Sequence, residues 1–248
     1  MWAESSSAGA LHDLYKDRDV SQWSRNTLIA LDLETTGLDP LDDRIVQAAV
    51  VFVAADGTVS DQSWDGIVDP GVPIPTGASN IHGITTERAR REGMPPVEAL
   101  QVIARLVDDA ADRGIPLVIY NAPFDWPFVR AEAQRHGVQI GTPEIIDPLV
   151  IDRAVDRYRK GSRRLEVVAA HYRYDVGQAH NARADAIAAA AIARAIAARF
   201  PAVGDLTARA LQPLQVSWHA EHADNLSHHL GKPIDPGWPI PQTAEHLA

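Results

Sequence analysis

LIALDLETTG, residues 28–37, is the stretch on which the fold turns. From Leu28 to Leu33 apolar side chains fall on both alternating faces, the mark of a strand buried on two sides, and the TTG that follows is turn chemistry. The end of that strand carries Asp32 and Glu34. Strand side chains alternate and rise about 3.3 Å per residue, so both carboxylates point the same way with Cα atoms roughly 6.6 Å apart. Both can reach one cation. Unpaired in a sheet interior, each costs several kcal/mol of desolvation. The strand end therefore needs positive charge, from an arginine or from a metal ion.

Outward from this strand, a second apolar run spans 45–53 and ends at Asp56-Gly57, and a third, roughly 59–68, reads as the return arm of a hairpin. Helical spacing follows around 85–91 and from Pro96 to about Arg113, where Val97, Leu100, Ile103, Leu106 and Val107 share a face and Gly114 supplies a stop. PLVIYN at 116–121 is a fourth strand, and Pro123 opens a helix that Gly137 closes. A short fifth strand at 144–146 leads through Asp147-Pro148 into another helix. Helices at 165–172 and about 183–199 complete the pattern. Strands first, then helix and strand in alternation, predict an α/β mixed sheet flanked by helices. The expected organisation is a polar N-terminal arm at 1–26, one domain at 27–200, and a C-terminal extension at 201–248 packed on it. In the extension, Leu214, Trp218, Glu221 and Leu226 suit amphipathic helix, whereas GKPIDPGWPIPQ at 231–242 holds too many prolines for one.

Composition narrows the chemistry. The 248 residues contain no cysteine, which excludes disulfides, thiolate nucleophiles and Cys-ligated metals and leaves oxygen or imidazole as ligands. No apolar run approaches the ~20 residues of a membrane span, and the charged start is unlike a secretory leader, so the expectation is a cytoplasmic protein with no membrane partner. A net charge of −10 disfavours a polyanionic partner overall. Residues 153–164, RAVDRYRKGSRR, reverse that locally with six basic side chains against Asp156 alone. The segment reads either as a solvated loop or as a surface for a polyanion.

Further acids stand where strands hand over to helices: Asp125, four residues after Asn121, and Asp185, five after His180. Singly, each acid reads as a helix-start residue complementing the dipole, and His180 as a loop histidine. Together, DLETTG at 32–37, IHGIT at 81–85, YNAPFD at 120–125 and HNARAD at 180–185 fall in order on the expected elements. This ordered set resembles the DnaQ-like, DEDDh subgroup of 3′–5′ exonucleases over roughly residues 27–199.

The resemblance implies a ribonuclease-H-like fold, three antiparallel strands and then parallel ones, and maps the four acids onto Asp32, Glu34, Asp125 and Asp185. His180 is then the histidine of the subgroup. Two divalent cations, Mg²⁺ or Mn²⁺, would offset the four carboxylates. Asp32 would bridge them, Glu34 and Asp185 would complete one site, and Asp125 would support the other. His180 would take the proton of the attacking water, imidazole having a pKa near 6.5. The implied substrate is nucleic acid with a free 3′ end, DNA favoured by DLETTG, and the products are 5′-mononucleotides. A replication or repair partner is a further implication. Thr35, His82 and Asn121 would line the nucleotide pocket, with turn and strand-end hydrogen bonding as the competing reading. Phe124 is a core residue first. Tyr120 stands where many relatives have histidine. Asp147 reads as a helix cap rather than a fifth ligand. Arg157, Lys160, Arg163 and Arg164 would track the incoming backbone, with Arg163 and Arg164 as the leading contacts. The tail histidines His219, His222, His228 and His229 lack a ligand spacing that would make a zinc site. Two rival readings remain: a nucleic-acid-binding or polymerase-associated module of the same fold with little activity, and a hydrolase of small phosphodiesters.

Overall fold

The computed structural model of the protein describes residues 23–177 and 181–247. Five strands form one sheet: β1 (Leu28–Thr35), β2 (Ile45–Val53), β3 (Trp64–Ile67), β4 (Leu117–Val118) and β5 (Ile145–Ile146), in the order β3-β2-β1-β4-β5. β1, β2 and β3 pair antiparallel, and β4 and β5 join β1 in parallel. The helices are α1 (Thr76–His82), α2 (Thr86–Glu92), α3 (Pro96–Asp112), α4 (Ala122–His136), α5 (Pro148–Val155), α6 (Leu165–His171), α7 (Ala182–Arg199), α8 (Pro201–Gly204) and α9 (Ala208–Leu230). This is the mixed sheet flanked by helices that the sequence pattern predicts, and its three antiparallel strands followed by parallel ones are the arrangement that the family resemblance implies. Among the described residues, no helix is long and apolar enough to cross a membrane.

The two faces of β1 feed two cores. Leu28 and Ala30 pack with Ala186, Ala189, Ala190 and Ala193 of α7, whereas Ile29, Leu31 and Leu33 pack with Ile103 and Val107 of α3 and Phe128 of α4. Asp32 and Glu34 continue the even-numbered set by the period of two, so they face the α7 side. The row of alanines lets that helix lie close on the sheet, where longer side chains would hold it off.

Three elements differ from expectation. The third strand pairs only over Trp64–Ile67, because Ser60 N–H donates to Phe52 O at 2.9 Å and the Ser63 hydroxyl accepts Phe52 N–H at 2.9 Å, so residues 60–63 fold into a turn. The fourth strand keeps two laddered residues before Asn121 turns left-handed at φ 69°. Helix α1 has no counterpart in the sequence reading. It buries none of its residues, so it leaves no apolar periodicity.

The C-terminal residues cover the edge of the sheet. An edge strand presents unpaired N–H and C=O groups. Here Gln212 Oε1 accepts Ile145 N–H at 3.1 Å, and the Gln212 and Gln215 amides each donate to Ile145 O at 2.8 Å. Gln215 Oε1 accepts Asp147 N–H at 2.7 Å. Two side chains of α9 thus stand in for a sixth strand.

Candidate active site

Asp32 and Glu34 at the end of β1 and Asp185 of α7 each offer a carboxylate oxygen, and these oxygens lie within 4.8 Å of one another. Asn181 explains why Asp185 is available for this. The Asn181 side chain accepts Arg183 N–H at 3.2 Å and Ala184 N–H at 3.3 Å, so the cap of α7 is filled by another residue. Gln47, opposite Glu34 across the β1–β2 ladder, holds the same helix start by accepting Ala182 N–H at 3.4 Å. The sequence reading passed over Gln47, whose signal is one amide in the otherwise apolar strand IVQAAVVFV.

Asp125 arrives from the other face of the sheet. It is buried in the first turn of α4, and its Oδ1 accepts Leu33 N–H at 3.0 Å, directly between Asp32 and Glu34. This bond accounts for Asp125 better than dipole complementation does. Beside Asp125 the β1–β2 register slips between Glu34 and Thr35, which bends the strand end where the acids meet.

The carboxylates press on one another. Burial, and after it the charges of Asp125, Asp185 and Glu34, holds Asp32 well above the usual carboxylate range. Burial and Asp185 push Glu34 up from its ordinary 4.5 to about 7. Burial also raises Asp125, with the Leu33 N–H opposing and the Glu34 charge adding. None of Asp32, Glu34 and Asp125 pairs with a cationic side chain among the described residues, so no described arginine supplies their compensating charge. A closely spaced, all-oxygen, electron-rich set whose members raise one another's pKa fits a hard divalent cation.

The remaining residues divide. The Thr35 hydroxyl donates to Gly37 O at 2.6 Å, so it serves the turn. His82 ends α1, its Nδ1 accepting Ile84 N–H at 3.2 Å, and burial lowers its pKa while the Thr35 backbone opposes. It therefore sits beside the β1 terminus. Asn121 exposes its side chain, and its N–H donates to Asp147 Oδ1 at 3.0 Å. Tyr120 donates its hydroxyl to Arg163 O at 2.6 Å. His180 lies outside the described residues. Arg163 is not brought to the site: its guanidinium binds the Asp152 carboxylate and the carbonyls of Asp156 and Arg159. Charge counting along the chain does not reveal that Asp152 consumes it. Arg159 also pairs with Asp152, and Arg157 pairs with Glu221 at 3.0 Å. Lys160 and Arg164 are exposed. Asp147 caps α5, accepting Leu149 and Val150 N–H at 3.0 and 3.3 Å, and the tail histidines join no metal-binding group among the described residues.

The exonuclease family model RNase_T matches residues 29–193, from β1 well into α7. A DNA polymerase III subunit epsilon-like protein of Rhodobacter capsulatus is 33% identical over 130 residues, 52% of this chain and 18% of that protein. The chloroplastic/mitochondrial exonuclease DPD1 of Arabidopsis thaliana is 32% identical over 186 residues, 70% of this chain and 56% of that protein. A structure of exonuclease I superposes with a TM-score of 0.62 at 25% identity, covering 73% of this chain and 42% of that one. E. coli exonuclease I in complex with a dA16 oligonucleotide gives a TM-score of 0.62 at 24% identity, over 79% of this chain and 44% of that one. The chain thus spans from under a fifth to a little over half the length of these relatives.

Proposed function

This chain belongs to the exonuclease family RNase_T, as a DnaQ-like hydrolytic nuclease of the ribonuclease-H-like superfamily, and we propose that it is a metal-dependent 3′–5′ exonuclease that shortens nucleic acid, DNA for preference, to 5′-mononucleotides. The observation that carries this reading is the convergence of Asp32, Glu34 and Asp185, backed by Asp125, with no cationic side chain paired to the first two among the described residues. Asp32, Glu34 and Asp185 are the residues that would hold divalent ions, Mg²⁺ or Mn²⁺, with Asp125 at a second position. Such ions supply neutralisation of the acids and Lewis acidity toward a phosphodiester.

The chain's own groups do the rest. His180, which the ordered motifs place before Asp185, accepts the proton of the attacking water. The turn after Thr35, with His82 beside it and Asn121 across from it, receives the terminal nucleotide. Leu38 is 83% exposed three residues beyond Thr35, and Ile81 is 59% exposed next to His82, so apolar surface suited to nucleobase faces adjoins the charged cluster. Lys160 and Arg164 remain the candidates for backbone phosphates further from the cut, with Arg163 supporting their loop from beneath. The polymerase III subunit epsilon-like relative supports a replication or repair setting.

The test is to incubate the protein with 5′-labelled single-stranded DNA, matching RNA and a 3′-mismatched duplex in Mg²⁺, Mn²⁺ or chelator. Stepwise shortening is expected with either metal and is lost in chelator and in Asp32→Ala. For His180→Ala, kcat should fall by about 100-fold or more while metal binding is retained. Binding without shortening in both metals would reject the nuclease assignment.

A further inference from the structure

Asp147 belongs neither to the acid cluster nor to any ion pair among the described residues, yet it is fully buried and accepts five hydrogen bonds. Oδ1 takes the N–H groups of Asn121 at 3.0 Å, Leu149 at 3.0 Å and Val150 at 3.3 Å. Oδ2 takes Ala122 N–H at 2.9 Å and the indole Nε1–H of Trp238 at 3.1 Å. Capping α5 needs only Leu149 and Val150. The bonds to Asn121 and Ala122 do something else, because these residues form the left-handed turn that starts α4, and α4 carries Asp125. Asp125 in turn grips Leu33 N–H between Asp32 and Glu34.

The C-terminal segment holds Asp147 from two sides. Gln215, fully buried, accepts its backbone N–H, and Trp238, 7% exposed, donates to its carboxylate. Both residues lie beyond the stretch matched by the exonuclease family model. An unbroken path therefore runs from Trp238 through Asp147 to the first N–H groups of α4, to Asp125, and to the backbone between the two β1 acids.

We propose that Trp238 is a positioning residue for the nuclease reaction, its indole N–H orienting the Asp147 carboxylate that sets the start of α4 and thereby the Asp125 carboxylate. The proposal rests on the metal-nuclease reading above. Removing the indole donor leaves Oδ2 with Ala122 alone, allows the carboxylate to rotate, and loosens the turn that aims Asp125. Outer groups that orient metal-holding side chains act on affinity and turnover rather than on substrate capture.

The experiment compares Trp238→Phe, which keeps an aromatic ring and loses the donor, with Gln212→Ala, which removes an extension contact to Ile145 that does not touch Asp147. Mn²⁺ binding to full-length protein is read by calorimetry, alongside kcat, KM and thermal unfolding. Trp238→Phe should weaken Mn²⁺ binding about fivefold to tenfold and lower kcat to a similar degree, with KM unchanged within about twofold. Gln212→Ala should lower the unfolding temperature and leave Mn²⁺ affinity as in wild type. Should Trp238→Phe fail to fold, benzothienylalanine at position 238, which exchanges N–H for sulfur within the same outline, delivers the same loss of donor. Wild-type Mn²⁺ affinity and kcat in a folded donor-less variant would overturn the proposal, as would equal losses in Gln212→Ala. A wild-type protein that neither binds Mn²⁺ nor shortens oligonucleotides would instead overturn the nuclease reading itself.

Discussion

Glu34 meets neutral pH half-titrated, because burial and Asp185 together lift it from 4.5 to about 7. The sign of its effect follows directly. In the unfolded chain it ionises near 4.5, whereas the folded site resists ionisation until about 7, so the metal-free protein loses stability as pH rises between those values, and the loss is complete above 7. Below 4.5 the group is protonated in both states and costs nothing. Chemical denaturation of metal-free protein across this window should show the decline, and Glu34→Gln should flatten it. The same protons compete with cations: Mn²⁺ affinity should fall as pH drops below about 7, approaching tenfold per unit if one proton is displaced. Affinity independent of pH from 5 to 8 would contradict this. Asp32→Asn removes one member of a mutually repelling set, so it should raise the metal-free melting temperature by a few degrees while abolishing turnover. A fall in melting temperature on that substitution would show that the cluster is not strained.

At the scale of elements, α7 joins packing to chemistry. Its alanines lie on β1 and β2, and Asp185 rides on the same helix one turn past the Asn181 cap. The helix cannot shift from the sheet without carrying Asp185 away from Asp32 and Glu34. Ala189→Leu should therefore cost about 1–3 kcal/mol by overpacking and also weaken Mn²⁺ binding. Denaturant titration and calorimetry on the same preparation check both, and a stability loss with wild-type metal affinity would separate the two roles. The basic loop shows the converse, charges that serve structure. Arg159 and Arg163 turn inward to a fully buried Asp152, and Tyr172 adds a hydrogen bond to that carboxylate at 2.8 Å. The loop is held firm from below, and this leaves Lys160 and Arg164 outward.

For the whole molecule, the C-terminal residues complete what the family core leaves open. Without Gln212 and Gln215 the β5 edge is bare, and without Trp238 the buried Asp147 loses a donor. A chain ending at residue 200 should lack a cooperative unfolding transition and self-associate through that edge. Circular dichroism and size-exclusion chromatography decide this, and a monomeric fragment with a sharp transition would show that the cover is dispensable. The edge cover was invisible in the sequence, where Gln212 and Gln215 are two amides in an amphipathic pattern, and so was α1, whose exposed residues carry no period. Asp147 was legible as a cap and no further, since its ties to Asn121, Ala122 and Trp238 cross between remote segments.

Local alternation and punctuation in the sequence determined the strand carrying Asp32 and Glu34, the helices carrying Asp125 and Asp185, and the α/β order, because side-chain period and turn chemistry act between neighbours. The ordered motifs named the four acids together, but only the tertiary structure decided how closely Asp32, Glu34 and Asp185 approach, which arginines are spent on buried carboxylates, and which bonds hold the start of α4. Those outcomes depend on distances of a few ångströms between segments far apart along the chain, and the ordered motifs name the acids without fixing charge, burial or hydrogen bonding at such distances.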